Sequence, residues 1–231
     1  MSWFEPTDVA CPHCHHAFKC GTAETINVTR MPWAKEQIIA GTFHQSECPE
    51  CGLSFWVDRD FLYTDFEQAR FVHVFPTAAQ EQWPALESVT EEVFDNTCAE
   101  GPPFVRDFSA RFAVRTVFGL RQLGEKVRLW DAGLDDAATE LLKLELLLAS
   151  PELRERPTLE LLVTEVDLAA DRLVIEAFDR EGNADVISFA AQLHRFRELD
   201  ADRARLVDRF PGLYHRPFRS FRRLAREMVV E

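Results

Sequence analysis

The sequence lacks a hydrophobic run that could cross a membrane, because no apolar stretch approaches the roughly 20 residues that a transmembrane helix needs. Its opening residues, Met-Ser-Trp-Phe-Glu-Pro, have neither the basic region nor the apolar stretch of a signal peptide. These two absences predict a cytoplasmic protein with no membrane association. In that reducing compartment, paired cysteines bind metal ions more often than they form disulfides.

Recognisable catalytic patterns are also missing. The Ser and His residues follow no nucleophile–base spacing, no glycine-rich loop suits a phosphate group, and no carboxylates are paired as acid and base. We therefore predict no catalytic residue and no site for an organic cofactor. The sequence favours a non-enzymatic binding or adaptor module for a protein partner, whose identity the sequence does not give.

Basic side chains are scarce in the first part of the chain. Residues 1–104 hold 5 basic and 16 acidic side chains, a net charge of −11, while the whole chain has a net charge of −13. Because proteins bind nucleic-acid phosphates mainly through Lys and Arg, this region is a poor nucleic-acid surface.

Cysteine, in contrast, occurs in a repeated phrase. The sequence Cys-Pro-His-Cys at 11–14 returns as Cys-Pro-Glu-Cys at 48–51, and a Phe follows each phrase by four positions. Two Cys-x2-Cys pairs can supply the four thiolates of a tetrahedral zinc site. Gly52 follows the second phrase and can adopt positive φ, whereas His15 takes that position after the first. The pattern predicts one structural Zn²⁺ bound by Cys11, Cys14, Cys48 and Cys51.

Two other interpretations of these cysteines stay open at this point. A single Cys-x2-Cys also occurs in dithiol redox proteins, where it lies between a strand and a helix, but no strand is predicted before Cys11. A disulfide would need an oxidising compartment. Cys20 and Cys98 have no paired pattern and are predicted to be free and buried. A sulfur ligand could be replaced by one of the nearby histidines, which are His13, His15, His16 and His44.

Hydrophobic periodicity predicts an α+β fold with three parts. The first is a zinc-ribbon-like antiparallel β region, with strands at 23–30, 42–47, 70–75 and 111–118, a helix at 34–40, and a turn at 63–65. Capping boxes at Thr77 and Ser88 predict short helices, before a loop at 96–103. The second part is a helical hairpin, and the third is a C-terminal β-meander, with strands at 159–168, 172–178 and 186–189, followed by helices.

The second helix of the hairpin is predicted to start at Asp135, whose carboxylate suits an N-cap. Asp136, Glu140 and Lys143 follow at positions i, i+4 and i+7 of that helix. Such a polar stripe is typical of a solvated helix face that carries a weak ion pair. We therefore predict that these three side chains are exposed.

Together, these motifs resemble the CpXC domain family of bacteria and archaea over roughly residues 8–148. The resemblance is carried by the two cysteine phrases, Gly41–Phe43, Tyr63–Asp65, Glu125–Lys126, Gly133–Asp136 and Glu140–Lys143. It implies a metal site and limits for the first domain. The family has no established activity, so the resemblance implies no substrate and no catalytic residue.

The predicted domain organisation is a zinc-binding domain at 1–150, a linker at 151–157 and an α+β region at 158–231. From Arg209 to Arg226 there are six Arg and no acidic residue, interleaved with aromatic residues. This Arg-rich tail is predicted to dock on the acidic first part of the chain, with Phe218, Phe221 and Met228 buried. The alternative is that the tail, at residues 209–226, binds single-stranded nucleic acid.

Overall fold

The computed structural model describes residues 2–99, 107–156, 158–179 and 187–229. The chain forms two compact units, Met1–Gly124 and Glu125–Glu231. The helices and strands confirm the predicted α+β class. No helix among the described residues has the length and apolarity that a membrane span requires.

The first unit is built on a five-stranded sheet, to which a two-stranded ribbon and helices are added. Its elements in chain order are β1 (Trp3–Ala10), β2 (Ala17–Asn27), α1 (Pro32–Ala40), β3 (Gln45–Glu47), β4 (Ser54–Trp56), β5 (Phe61–Asp65), β6 (Arg70–Phe75), a 3₁₀ helix (Thr77–Gln82), α2 (Trp83–Ala99) and β7 (Ala113–Phe118), followed by α3 (Gly119–Asp131), which continues into the second unit.

The sheet has the strand order β1-β2-β5-β6-β7 and is mixed. The pairs β1–β2 and β5–β6 are antiparallel, whereas β2–β5 and β6–β7 are parallel. Parallel neighbours need a long crossover, and here the segments with α1 and with α2 provide it. The ribbon of β3 and β4 is a separate antiparallel pair within the first crossover.

Four local predictions for this unit are wrong. Residues 63–65, predicted as a turn, end strand β5, and the chain turns after them, where Ala69 has φ 53°. Ser88 lies inside α2 instead of capping a helix, and residues 96–99 of the predicted loop still belong to α2. A strand, β1, precedes Cys11 although none was predicted. Its side chains alternate between half-buried and exposed, which is a weak signal for an edge strand. The rest of the predicted loop, residues 100–103, lies outside the described part.

The second unit contains the end of α3, a three-stranded sheet and the helices of the C-terminal part. Its elements are α4 (Asp136–Ala149), α5 (Pro151–Glu155), β8 (Leu159–Asp167), β9 (Arg172–Asp179), β10 (Ile187–Gln192), α6 (Leu193–Ala201), α7 (Arg203–Arg209), α8 (Pro211–His215) and α9 (Phe221–Val229). The order β10-β9-β8 with antiparallel pairing confirms the predicted meander. Val186, the predicted start of its third strand, lies outside the described residues.

A single apolar core joins the parts of the second unit. It contains residues of α4, the meander and the tail, among them Leu141, Ile175 and Phe221. Leu153, in the segment predicted as a linker, is also buried in this core, since residues 151–155 form α5. The two compact units divide after Gly124, and the domain limit at residue 150 stays a prediction.

Candidate metal centre and buried charge cluster

Two cysteine turns bring four sulfur atoms together in the first unit. The Sγ atoms of Cys11 and Cys51 are 3.6 Å apart, and so are those of Cys14 and Cys48. All four lie within 4.8 Å of one another. A tetrahedral zinc ion with Zn–S bonds of about 2.3 Å requires S–S separations of roughly 3.8 Å. A disulfide would require about 2.05 Å. The four sulfurs therefore have the spacing of a metal site and form no disulfide.

The first turn connects β1 to β2 and has a well-defined backbone. The N–H of Cys11 donates to the carbonyl of His16 at 2.9 Å, and the N–H of His15 donates to the carbonyl of Cys11 at 3.0 Å. His15 adopts φ 60°, so this histidine takes the left-handed conformation for which glycine is usual. Further N–H groups of the turn point at the sulfurs, including that of Cys14 toward Cys11.

The second turn connects β3 to β4 and repeats this geometry at equivalent positions. The N–H of Cys48 donates to the carbonyl of Leu53 at 2.9 Å, and the N–H of Gly52 donates to the carbonyl of Cys48 at 2.9 Å. Gly52 has φ 72°, close to the value at His15. The histidine after the first phrase therefore leaves the turn unchanged, and the two turns have equivalent backbones.

Aromatic side chains hold the two turns side by side. Phe18 and Phe55, each four residues after the last cysteine of its phrase, pack edge to face with ring centroids 6.1 Å apart. This is a favoured geometry for aromatic pairs. The strand that follows each turn therefore places one ring against the other and fixes the distance between the two cysteine pairs.

The thiols have strongly perturbed acidities. The N–H of Cys14 is the main cause that lowers the pKa of Cys11 to about 6. The pKa of Cys14 is raised to about 12: the N–H of His16 acts to lower it, but burial and the three neighbouring sulfurs outweigh that effect. Four thiolates at this distance repel one another, so they ionise together only when a cation lies between them. The donor set thus fits a soft divalent metal ion.

Histidine contributes no ligand to this group. The metal-ligand group found among the described residues contains only the four cysteines. His44 Nε2 instead accepts a hydrogen bond from the N–H of Ala23 at 2.9 Å, and its ring stacks on Phe43 and contacts Phe61. Burial lowers the pKa of His44 to about 4. Cys20 is half-buried on β2 and stays outside the group, and the side chain of Cys98 lies outside the described part.

Comparison with protein families identifies this pattern. The family described as CpXC protein matches residues 9–143, which is more than half of the chain. The chain belongs to the CpXC family. No match was found among curated proteins or among solved structures.

The CpXC match also covers three charged side chains of α4 that were predicted to be exposed to solvent. Asp136, Glu140 and Lys143 are almost fully buried, with 0%, 3% and 2% of their surface exposed. The predicted solvated stripe is therefore wrong. The reason is that α4 is covered by other elements that supply counter-charges. We call the resulting group the charge cluster, and its members are Glu125, Lys126, Asp136, Glu140, Lys143 and Arg219.

Ion pairs connect the charge cluster without a break. Lys143 Nζ lies 2.8 Å from Glu125 Oε2 and 3.1 Å from Glu140 Oε1. Lys126 Nζ donates to the same Glu140 oxygen at 2.9 Å and lies 3.6 Å from Asp136 Oδ2. Three carboxylates thus face three cations, with Arg219 as the third. Burial acts to raise the pKa of Glu140, but Lys126 and Lys143 outweigh it and hold that pKa below its usual value.

The charge cluster also binds the backbone of distant segments. Glu125 Oε1 accepts from the N–H of Val163 in β8 at 2.6 Å, and Glu140 Oε2 accepts from the N–H of Phe221, the first residue of α9, at 2.9 Å. Carboxylates at a helix N-terminus satisfy free N–H groups and favour the helix dipole. The cluster therefore joins α3, α4, β8 and α9 within one unit.

The Arg-rich tail contacts carboxylates close to α4. Arg219 Nη1 lies 2.7 Å from Asp136 Oδ1 and 3.4 Å from Asp135 Oδ1. These two carboxylates do not belong to residues 1–104, the region on which the tail was predicted to dock. Phe218 and Phe221 are buried as predicted, whereas Met228 is exposed and Leu224 takes the buried position.

Proposed function

We propose that this CpXC protein is a zinc-binding module in which Cys11, Cys14, Cys48 and Cys51 hold one structural Zn²⁺. The observation that carries the proposal is the S–S spacing of 3.6 Å across two equivalent backbone turns. Thiolate ligands in a tetrahedral arrangement are typical of zinc and of iron sites. Zinc is favoured because it imposes no geometry of its own and is satisfied by four thiolates.

The proposed zinc has a structural role. Catalytic zinc sites keep one position for water or substrate, whereas structural sites have four protein ligands. Here the protein supplies four sulfurs, and the Cys11 and Cys48 side chains are buried. The metal would fix two turns that belong to different pairs of strands. We therefore propose a binding or adaptor role for the protein, with a protein partner and without catalysis.

The proposed location is the cytoplasm. Zinc is bound by thiolates, and these persist where glutathione and thioredoxin keep cysteines reduced. The four cysteines form no disulfide with one another, in agreement with such a compartment.

Elemental analysis of protein purified under reducing conditions tests the proposal. One zinc and no iron per chain is the expected result. Cys48→Ser should lose the metal, while Cys20→Ser, which changes a cysteine outside the group, should retain it. Metal-free protein, or a Cys14–Cys51 disulfide in a reduced preparation, would contradict the proposal.

Nucleic-acid binding by the Arg-rich tail is the competing function. Contacts inside the second unit already engage part of this tail, since Arg219 pairs with Asp136, and Arg223 Nε donates to Glu227 at 2.8 Å. These pairs leave less positive charge for phosphates. Salt-dependent binding of a single-stranded RNA, lost on substitution of Arg222 and Arg226, would favour this alternative. Turnover of a disulfide substrate would favour a dithiol redox function.

A further inference from the structure

Large aromatic side chains are exposed around α1 in the first unit. Trp33 and Trp56 have 42% and 54% of their surface exposed, and Phe4 has 41%. The rings of Phe4 and Trp33 stack with centroids 6.1 Å apart. Tryptophan is buried in most proteins and is enriched among the residues that dominate binding energy at interfaces. We call the surface formed by Phe4, Trp33, Trp56 and the nearby carboxylates of Glu36 and Glu47 the aromatic surface.

One face of α1 forms the first half of the aromatic surface. Trp33, Glu36, Gln37 and Ala40 are exposed and recur at positions i, i+3, i+4 and i+7, whereas Ala34 and Ile38 are buried. These spacings place the four exposed residues in one stripe along the helix. The stripe therefore carries an indole at its start and a carboxylate one turn later.

The ribbon of β3 and β4 forms the second half. Trp56 pairs with Gln45, and Glu47 pairs with Ser54, so these four side chains share one face of the ribbon, and all four are exposed. Trp56 Nε1 donates to the carbonyl of Gly41, the C-cap residue that follows α1, at 2.6 Å. This bond fixes the indole beside the C-terminal end of the helix.

Each half thus combines an exposed indole with a carboxylate. Within the described residues, neither Glu36 nor Glu47 forms an ion pair. Residues 1–104, which contain this surface, have a net charge of −11. An aromatic face attracts cations, and a neighbouring carboxylate adds a salt bridge to the same cation. Phosphate groups, in contrast, would be repelled by this surface.

We propose that the aromatic surface binds an extended segment of a protein partner that carries two Lys or Arg side chains. This inference rests on the proposed function as a binding module and specifies the chemistry of the partner. Trp33 and the C-cap residue Gly41 are eight residues apart, which corresponds to about 12 Å along the axis of α1. An extended peptide covers that distance with about four residues at roughly 3.3 Å each. The two cations are therefore expected four positions apart.

Fluorescence anisotropy with a labelled peptide tests the inference. The probe is a short Gly/Ser peptide with two arginines four positions apart, and its comparator has glutamine at both positions. We expect zinc-loaded protein to bind the arginine peptide more tightly than the glutamine peptide, and salt to weaken the binding. Glu36→Lys with Glu47→Lys should weaken it by about tenfold or more, and Trp33→Ala with Trp56→Ala should have a similar effect.

Glu92→Lys with Asp95→Lys is the matched control, since this double substitution makes the same total charge change at exposed positions of α2. Equal binding of the two peptides, or an equal loss with this double control, overturns the inference. Preferred binding of a single-stranded RNA over the arginine peptide overturns it as well. Zinc content is measured on the same samples. Absence of peptide binding with one zinc per chain rejects the inference alone, whereas absence of zinc rejects the proposed function.

Discussion

The two units gather charged groups in opposite ways. In the first unit, four cysteine sulfurs of like charge meet when ionised, and the chain supplies no counter-ion within their group. In the second unit, the charge cluster contains three carboxylates and three cations that neutralise one another. The first arrangement depends on a bound cation, and the second is complete within the chain. We therefore expect the stability of the first unit, but not that of the second, to depend on metal.

Removal of the metal should give the largest effect. Structural zinc contributes roughly 10–16 kcal/mol of apparent binding free energy in small zinc peptides, and this energy supports folding. Cys48→Ser, or a strong chelator, should unfold the first unit, while the amides of β8 and β9 in the second unit keep their hydrogen-exchange protection. Cys20→Ser is the control. Equal loss of protection in both units would show that they unfold as one.

Loss of one member of the charge cluster should be the next largest effect. Glu140→Ala leaves Lys126 and Lys143 buried without a shared partner, which costs about 3–5 kcal/mol of unfolding free energy. Chemical denaturation, read by the circular dichroism of zinc-loaded protein, measures this change. The matched control is Glu165→Ala, whose exposed ion pair with Arg172 contributes at most about 1 kcal/mol. Equal effects of the two substitutions would contradict the assigned role of the cluster.

Loss of the buried Phe221 ring, which anchors the tail, should reduce stability by a similar or smaller amount. Phe221 is 3% exposed, and Phe221→Ala should cost about 3–5 kcal/mol because it leaves a cavity. Met228→Ala, on the same helix but with 40% of the Met228 surface exposed, should change stability by about 0.5 kcal/mol or less. The two melting temperatures test this difference, and a tail that does not pack on the second unit would give two equal, small shifts.

Lowering the pH should destabilise the first unit at a higher pH than the second. Burial lowers the pKa of His73 from 6.5 to about 4, as it does for His44, so both rings stay neutral in the folded first unit. The free energy of unfolding that the two neutral rings contribute is fully present above pH 6.5. It is lost as the pH falls toward 4, and the loss is on the order of 3 kcal/mol per histidine. The pKa of Glu140 in the second unit is lowered from 4.5, so the stability that this carboxylate contributes is lost only below about pH 4.5.

Denaturation of zinc-loaded protein between pH 7 and pH 5 measures the histidine effect. His73→Phe should reduce the loss of stability over this interval, because the titrating ring is removed. An unchanged slope in this variant would show that other groups control the pH dependence. The second unit should keep its stability throughout the interval.

The difference between the two units also explains which features could be predicted from the sequence. The four-cysteine group depends on spacing within two short phrases, and each phrase folds its own turn through local hydrogen bonds such as that from Gly52 to Cys48. The helix end at Gly41 and the N-cap at Asp135 are local as well, and the structure confirms both. Strand β6 was predicted with its exact limits.

The charge cluster could not be predicted in this way. The spacing of Asp136, Glu140 and Lys143 is the same for an exposed stripe and for a buried one. Their burial is decided by partners far away in the chain, such as Arg219, 83 residues from Asp136. Parallel pairing, as between β2 and β5, likewise depends on contacts across long crossovers. A clue was available in the wide apolar face of α4, which leaves little helix surface for solvent.

X-ray absorption at the zinc edge tests the central claim most directly, because it reports the ligands of the metal in the intact protein. The account predicts one zinc per chain with four sulfur neighbours at about 2.3 Å. The same signal should be present in Cys20→Ser and absent in Cys48→Ser. Nitrogen or oxygen ligands in place of a sulfur, or protein that folds without metal, would contradict a structural four-cysteine zinc centre.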